Sequence, residues 1–289
     1  MEQAAIWEFN DVKRSDIFSI KPIGDVHVGN VSAEEHEPKL KSLIKEILDD
    51  EFGYTILMGD MAEFINRDDK RFDPSSIASW INLHRLDIAK AESDHVLDLI
   101  RPLAIEKKIL AVVKGNHEQS IARHTDRDVY GDIVNNVKQW GGFREERRLG
   151  VGMCGWVVLK FFRSPGNERK AGSKYVKISL HHGFVGGRLA GAKALNMERW
   201  LWNHECDLAF MGHSHDIKVL PGVVETVSTR TGKIERINRT GCITGNWLGQ
   251  AQYAREAGYF PCSVGYVDAT IQPMAVNKAE MIRASTNPV

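Results

Sequence analysis

The sequence predicts an α/β fold in a single domain spanning residues 1–289. In the first half, apolar strand segments alternate with amphipathic helical segments, which is typical of a sheet with crossover helices. The second half carries several further strand segments with shorter connections between them. No internal repeat, low-complexity tract or linker divides the chain. One domain with two β-rich halves is therefore the simplest prediction.

The first half contains three predicted strands separated by helices. Residues 17–30, IFSIKPIGDVHVGN, form a strand and a polar loop, and residues 33–50 place apolar residues at helical spacing opposite a charged face. Residues 54–64, YTILMGDMAEF, form a second strand that ends in Gly-Asp. One or two helices follow over 76–107, with a stop near Pro102. The segment KILAVVKGNHE is the third strand.

The second half is richer in strands than in helices. The hydrophilic stretch 163–174, RSPGNERKAGSK, has the composition of a hairpin connection between two of these strands. The predicted strand segments are GWVVLKFFRS, KYVKISLHHG, CDLAFMGHSHD, GKIERINRTGCITG and SVGYVDATIQP.

Composition and charge exclude several classes of protein. The formal net charge is zero and the isoelectric point about 7.2, so no overall field attracts nucleic acid or an acidic membrane. The four cysteines form no CxxC motif, which argues against a disulfide scaffold or a cysteine zinc site. The N-terminus lacks a basic and then apolar signal sequence, and no apolar run approaches the roughly 20 residues of a membrane span. We expect a cytoplasmic protein with no membrane partner.

Five of the apolar strands end in side chains that can bind metal ions or catalyse reactions. In Asp-x-His and His-x-His the two side chains are two residues apart, and in extended chain such residues point to the same side. In open α/β sheets, functional sites gather beyond the carboxyl ends of the strands. The sequences at these ends are Asp25-Val-His27, Gly59-Asp60, Gly115-Asn116-His117, His181-His182-Gly183 and Gly212-His213-Ser214-His215.

These residue types predict a binuclear metal site. Carboxylate and amide oxygens combined with imidazole nitrogens suit manganese, iron or zinc, with nickel as a further alternative, and no thiolate is involved. The donors are too many for one ion. Two ions that share one donor are therefore expected, and Asp60 is the obvious shared carboxylate. Two ions about 3.5–4 Å apart can activate water and hold the oxygens of a phosphoryl group. We therefore expect two divalent metal ions, with manganese first.

The ordered pattern D-x-H, G-D, G-N-H-E, H and G-H-x-H resembles the calcineurin-like metallophosphoesterase superfamily. The matching residues run from Asp25 to His215, about two-thirds of the chain. The resemblance implies a four-layer α/β/β/α sandwich with two mixed β-sheets around the site. It also implies hydrolysis of phosphate esters by a hydroxide that two metal ions activate.

The resemblance also assigns metal ligands by position. One ion would be held by Asp25, His27, Asp60 and His215. The other would take Asp60, Asn116, His213 and one imidazole of the pair His181-His182. His181 is favoured because the family ligand comes directly off the apolar strand, here ISL. The alternative is His182, which precedes Gly183 as in family members that read His-Gly.

Two further residues are predicted to take part in catalysis. In the family, the His of Asn-His lies near the scissile phosphate, so His117 is the candidate that protonates the leaving oxygen. Glu63 stands three residues after Asp60, where the family often has an acid oriented against that His. A carboxylate there would raise the pKa of His117 and keep it cationic. Glu118 is assigned no chemistry.

The substrate is predicted less closely than the reaction. A phosphodiesterase is favoured, with a nuclease as one form of it, because the Gly-rich segment 183–200 and the aromatic segment 244–260 suit an extended or nucleobase-bearing substrate. The partner would be a phosphate ester, with nucleotides and nucleic acid included. Arg188 and Arg255 are the candidates to contact phosphates. Trp200, Trp247 and Tyr253 could stack on bases, and all of these residues could equally be ordinary surface charges and core aromatics.

Three alternatives to a phosphodiesterase stay open at this point. The chain could be a phosphomonoesterase or protein phosphatase with the same metal site. It could be a metal-binding scaffold that has lost catalysis, although the complete ligand set and His117 argue against that. It could also be a nucleic-acid-binding module, which the zero net charge disfavours. The sequence does not define the oligomeric state.

Overall fold

The structure is a computed structural model that describes residues 3–289 except 66, 68, 70, 85–86, 126, 164–172, 185–188, 251–254, 256–257, 259–260, 262 and 276–280. Within these residues the content is mixed α/β, as predicted. The strands are β1 (Ala5–Val12), β2 (Phe18–Ile20), β3 (Gly53–Leu57), β4 (Ile109–Val112), β5 (Cys154–Arg163), β6 (Ser173–His181), β7 (Leu208–Met211), β8 (Ile217–Val227), β9 (Ile234–Asn246), β10 (Gly265–Ile271) and β11 (Ile282–Pro288). The helices are α1 (Val31–Glu34), α2 (Glu37–Asp49), α3 (Ile88–Ile105), α4 (Asn116–Thr125), α5 (Val129–Trp140) and α6 (Ala190–Asn203), with a 3₁₀ turn at Pro74–Ser76.

The strands form one large mixed sheet. Its order is β1-β5-β6-β7-β9-β10-β2-β3-β4, with β8 added on β9 and β11 on β10. Two parallel groups lie within it, β2-β3-β4 and β6-β7-β9. The two groups are connected where β9 meets β10, through the pairs Gly265–Asn246 and Tyr266–Gly245. The carboxyl ends of both groups therefore lead into the loops that carry the candidate ligands.

Most of the predicted elements are present, with shifted boundaries. The helix predicted over 33–50 is split into α1 and α2, and α2 begins with Pro38 in its first turn, a position that proline tolerates well. The predicted stop near Pro102 is slightly early, because α3 continues to Ile105. The start predicted at residue 76 is too early, because Asp87 caps the helix by accepting a hydrogen bond from the Lys90 N–H.

Several elements were not predicted from the sequence. Helices α4 and α5 follow the third strand, and α6 occupies much of the Gly-rich segment 183–200, for which the sequence predicts a role in substrate binding. Strands β5 and β6 do pair as an antiparallel hairpin, with Phe162 opposite Ser173. Residues 164–172 of their connection lie outside the described part. Among the described residues, no helix is both long and apolar enough to cross a membrane.

A cluster of aromatic rings packs β1 and β5 against β2. The ring centroid of Phe18 lies 4.9 Å from that of Phe9 and 4.8 Å from that of Phe161. Phe18 and Phe161 are buried, and the main apolar core draws residues from both strand groups. Strands from both parts of the sheet therefore share one core. The four-layer arrangement itself stays a prediction.

Replacing Phe161 by Ala should lower the free energy of unfolding by about 3–5 kcal/mol, because a buried ring is replaced by a cavity. Urea denaturation followed by circular dichroism measures this loss. The control is Tyr175→Ala on β6, whose side chain is exposed and should change stability by less than about 0.5 kcal/mol. Equal losses in the two variants would contradict the packing described here.

Candidate metal centre

The loops that follow five strands bring the predicted side chains together. The loop after β2 carries Asp25 and His27, the loop after β3 carries Asp60, and α4 begins with Asn116 directly after the β4 loop. His182 follows β6, and His213 and His215 follow β7. Among the described residues, three groups of potential ligands result, and the two that hold the predicted metal ligands are Asp25, His27 and His215, and Asp60, His182 and His213. The third group is His27, Glu63 and His117.

The first cluster is formed by Asp25, His27 and His215. The Nε2 atoms of His27 and His215 lie 3.2 Å apart, and the Nε2 of His215 lies 3.4 Å from an oxygen of Asp25. Asp25 and His27 are buried. The Asp25 carboxylate also accepts a hydrogen bond from the backbone N–H of His213, at 2.8 Å. This hydrogen bond links the β2 loop to the β7 loop.

The second cluster is formed by Asp60, His182 and His213, with Asn116 beside them. The Nε2 of His182 lies 3.2 Å from Asp60 Oδ2 and 2.9 Å from Asn116 Oδ1. The rings of His182 and His213 are 5.3 Å apart between centroids. His182 and Asp60 are buried, so their charges are shielded from solvent.

The structure brings His182, the alternative of the pair, into the second cluster, and the favoured His181 lies outside it. His181 is the last residue of β6, and its ring contacts Trp200 and Phe184 instead of the clusters. Its Nδ1 accepts a hydrogen bond from the backbone N–H of Gly183. Burial and the neighbouring histidines lower the pKa of His181 to about 4. Adjacent residues at a strand end point in opposite directions, so only one of the pair can face the site.

The backbone is left-handed at most of these positions. The φ angles lie between 48° and 65° at Asp25, His27, Asp60, His213 and His215. Such a conformation costs a residue other than glycine roughly 1–2 kcal/mol. Strain of this kind persists where the surrounding structure enforces it, which is typical of functional sites.

Glycine at position 59 allows the β3 and β4 loops to approach His182 closely. A Cβ atom at Gly59 would lie 2.5 Å from the backbone nitrogen of Gly115 and 2.9 Å from Nδ1 of His182. The φ of Gly59 is +88°, which side-chain-bearing residues rarely adopt. The Gly-Asp sequence after β3 thus serves the geometry of the site as well as the turn.

Glu118 is a structural member of the site, although the sequence pattern assigns it no role. Its buried carboxyl accepts hydrogen bonds from the backbone N–H groups of Asp60, Met61 and Gly115, at 2.8–3.0 Å. It therefore ties the β3 loop to the β4 loop. Burial and the nearby charge of Asp60 raise the pKa of Glu118. The residue was missed because nothing in the sequence indicates that this glutamate is buried.

Glu63 contacts two histidines, and its carboxylate is oriented differently from the expectation. The carboxylate accepts a hydrogen bond from His27 Nδ1 at 2.9 Å, whereas the ring of His117 bonds the backbone carbonyl of Glu63 through Nδ1. The expectation that the Glu63 carboxylate is oriented against His117 is therefore wrong, because the carboxylate contacts His27 instead. A glutamate side chain three residues after Asp60 reaches either ring, and here it reaches His27.

The charge of Glu63 still acts on His117 as expected. Burial would lower the pKa of His117, but the negative charges of Asp60 and Glu63 outweigh burial and raise it. The positive charge of Arg71 lies close enough to oppose this rise.

The backbone N–H of His117 donates to Asp60 Oδ1 at 2.9 Å, so the start of α4 also orients that carboxylate.

The buried carboxylates create a demand for positive charge in the site. Burial alone would raise the pKa of Asp60, but the charges of His182 and His117 hold it well below its usual range. Burial alone would lower the pKa of His182, but Asp60 and Asp25 raise it to about 10. In the absence of a cation, protonated His182 supplies positive charge beside Asp60 and Asp25.

The donor set fits divalent metal ions. The Nδ1 atom of His182 donates to the carbonyl of Met58 at 2.8 Å, and Nδ1 of His27 donates to Glu63. With Nδ1 protonated, the neutral imidazole presents the lone pair of Nε2, and in both residues Nε2 faces the other ligands. A hydrogen bond on the far nitrogen is the usual support for a metal-binding histidine. Oxygen and imidazole donors without thiolate suit manganese, iron, zinc or nickel.

The predicted substrate-binding residues are only partly covered by the described residues. Arg188 and Tyr253 lie outside the described residues, and Arg255 is exposed at the surface. Trp247 is buried against Tyr266, and its backbone N–H donates to the carbonyl of Asp25. Trp247 therefore cannot stack on a base. Trp200 stacks on His204, with ring centroids 3.8 Å apart.

The family model described as calcineurin-like phosphoesterase matches residues 18–216, which include both clusters and His117. No curated protein matches the chain. Among solved structures, the chain is similar to a single-substitution variant of Vps29 from Entamoeba histolytica, with 12% identity, a TM-score of 0.40 and coverage of 94% of this chain and 99% of that chain. It is also similar to a metallophosphoesterase from Sphaerobacter thermophilus, with 13% identity, a TM-score of 0.36 and coverage of 94% and 88%. Both TM-scores are below 0.5, so the assignment depends on the family model.

The adjacent histidines give a direct test of the second cluster. His182→Ala should lose one of two bound Mn²⁺ ions, because Nε2 of His182 faces Asp60 and Asn116. His181→Ala is the matched control and should keep both ions, since its ring faces Trp200. Elemental analysis after gel filtration measures the stoichiometry. Loss of an ion from the His181 variant alone would restore the sequence-based preference.

Proposed function

The chain belongs to the calcineurin-like phosphoesterase family, and on this basis we propose that it is a two-metal phosphohydrolase that prefers phosphodiesters. Family membership implies metal-dependent hydrolysis of phosphate esters. The observation that carries the proposal for this chain is the paired arrangement of His27 and His182. In His27 the Nδ1 atom is bonded to Glu63 and Nε2 faces His215. In His182 the Nδ1 atom is bonded to the Met58 carbonyl and Nε2 faces Asp60 and Asn116.

Two divalent ions, with manganese as the first candidate, would be held by the two clusters. Asp25, His27 and His215 would hold one ion, and Asn116, His182 and His213 the other. Asp60 is the proposed shared ligand, because the charges of His182, His117 and His27 all act on it. When bound, such ions lower the pKa of water and offset negative charge on phosphoryl oxygens.

His117 would supply the proton that the leaving group requires. Its Nδ1 is engaged by the carbonyl of Glu63, which leaves Nε2 as the nitrogen that can donate. The negative charges of Asp60 and Glu63 outweigh burial and raise the pKa of His117, which favours the protonated ring. This role is supported by the burial of His117, by the bond from its backbone N–H to Asp60, and by the 4.8 Å between the ring centroids of His117 and His27.

Substrate choice would depend on charges at the mouth of the site. Arg71 lies close enough to influence the pKa of His117, and Asp69 holds its guanidinium with bonds of 2.7 and 3.1 Å. An arginine in this position can meet a phosphate oxygen. Arg188 and Arg255 stay candidates for the same role. Nucleotides and nucleic acid are the substrates that we propose to test first.

A substrate panel with Mn²⁺ tests the proposed activity. The bis(p-nitrophenyl) phosphate diester should be hydrolysed with a higher kcat/KM than p-nitrophenyl phosphate. Asp60→Ala should reduce turnover by at least about 10²-fold, because both ions lose a ligand and charge stabilisation is lost. The control Asp98→Ala, exposed on α3, should be fully active. Full activity of the Asp60 variant contradicts the two-metal proposal, and preference for the monoester contradicts the diesterase.

His117 can be tested as a proton donor with substrates of different leaving groups. His117→Asn should keep both metal ions and reduce turnover by roughly 10²–10⁴ for poor leaving groups. The loss should be smaller for p-nitrophenolate, which leaves without a proton. The control is His124→Asn, an exposed histidine on the same helix. An equal loss for activated and unactivated esters, or the loss of a metal ion, would contradict this role.

A further inference from the structure

A buried carboxyl on helix α3 contacts the loops that carry His27 and Glu63. Glu92 is only 2% exposed and shares the inward stripe of the helix with Ile88, Val96 and Ile100. The helical pattern favours an apolar residue at such a position. Burial of a carboxyl is costly unless it makes hydrogen bonds, so a specific partner is expected.

The partner is the backbone of Phe64, in the loop after β3. Glu92 Oε2 accepts the Phe64 N–H at 2.9 Å. The other oxygen faces the loop after β2, because a Cβ atom at Gly29 would lie only 2.1 Å from Oε1. The carboxyl of Glu92 therefore lies between the loop that carries His27 and the loop that carries Glu63.

These two loops form the support of the first cluster. Phe64 follows Glu63, whose carboxylate accepts the hydrogen bond from His27 Nδ1. The backbone N–H of Glu63 in turn donates to the carbonyl of Val28 at 2.9 Å. Phe64 has a φ of 48°, a left-handed conformation that a residue other than glycine keeps only where its surroundings enforce it. The hydrogen bond to Glu92 is one such enforcing contact.

We propose that Glu92 is a positioning residue for the metal centre, which fixes the Phe64 backbone and thereby orients Glu63 and the imidazole of His27. This inference rests on the proposed function, because it takes the two clusters to be metal sites. Glu92 touches no proposed ligand side chain directly. Its effect should therefore reach the cluster of Asp25, His27 and His215 and leave the cluster of Asp60, His182 and His213 largely unchanged.

The chemistry of Glu92 indicates the informative substitutions. Burial, together with the nearby charge of Glu63, raises the pKa of Glu92 well above its usual value, although the Phe64 N–H opposes this rise. An amide oxygen can accept the same hydrogen bond as Glu92 Oε2, so Glu92→Gln should preserve the contact to Phe64. Glu92→Met fills a similar volume but cannot accept the hydrogen bond.

The experiment is a calorimetric titration of the full chain with Mn²⁺ after metal removal, in two backgrounds. His213→Ala disables the second cluster, so the remaining ion reports on the first cluster. His215→Ala does the converse. In the His213→Ala background, Glu92→Met should raise the Mn²⁺ Kd by roughly 10–100-fold, the usual effect of losing a supporting contact. In the His215→Ala background the change should stay within about twofold.

Controls separate positioning from a general loss of stability. Val96→Ala removes a buried side chain one turn further along α3 and should change the Mn²⁺ Kd in neither background. Glu92→Gln should restore a Kd near that of the parent. If Glu92→Met does not fold, Glu92→Asp serves in its place, since its shorter side chain cannot reach the Phe64 N–H. In a double-mutant cycle, Glu92→Met should change the Mn²⁺ Kd much less when Glu63 is already replaced by Ala, because Glu92 is proposed to act through Glu63.

The outcomes distinguish this inference from the proposed function. An unchanged Kd in the His213→Ala background, or an equal rise in both backgrounds, overturns the role of Glu92 and leaves the proposed phosphoesterase untouched. Binding of fewer than two Mn²⁺ ions by the unsubstituted chain overturns the proposed metal centre. Because the titration contains no substrate, a lack of hydrolytic activity does not affect the result for Glu92.

Discussion

The site depends on two carboxylates, Asp25 and Asp60, that are buried at the ends of neighbouring strands. A buried carboxylate is stable only when hydrogen bonds and positive charge compensate for lost hydration. Backbone N–H groups of His213 and His117 supply hydrogen bonds, and the imidazoles of His182 and His215 supply the facing nitrogens. The negative charge of the two buried carboxylates, which face several imidazole nitrogens, favours the binding of cations. The fold supplies the geometry, and the cations would supply the missing charge.

The surrounding structure holds these groups against unfavourable backbone geometry. Left-handed φ angles occur at Asp25, His27 and Asp60, and hydrogen bonds between the loops keep them in place. Glu118 ties the β3 and β4 loops together, and Glu63 fixes the tautomer of His27. The helices contribute through buried carboxyls that accept backbone N–H groups. Glu63, Glu92 and Glu118 thus hold the loops of the site together.

Sequence patterns predicted the strand ends well, because buried apolar runs and the turn residues that follow them are local properties. They could not separate His181 from His182, since the face to which a strand-end residue points depends on the register of β6 with its neighbours. They also could not place Glu63 against His27, because a glutamate is long enough to reach either histidine. Helix α4 was missed because its first turn, Asn116-His117-Glu118, is polar and was considered only as a loop.

The central claim is that two metal ions bind at the ends of these strands. Anomalous diffraction from crystals grown with Mn²⁺ tests it most directly, because the signal locates the metal without assumptions about activity. The account predicts two peaks. One should contact Asp25, His27 and His215, the other should contact Asn116, His182 and His213, and Asp60 should be within reach of both. A single peak, or a peak coordinated by His181 in place of His182, would contradict it.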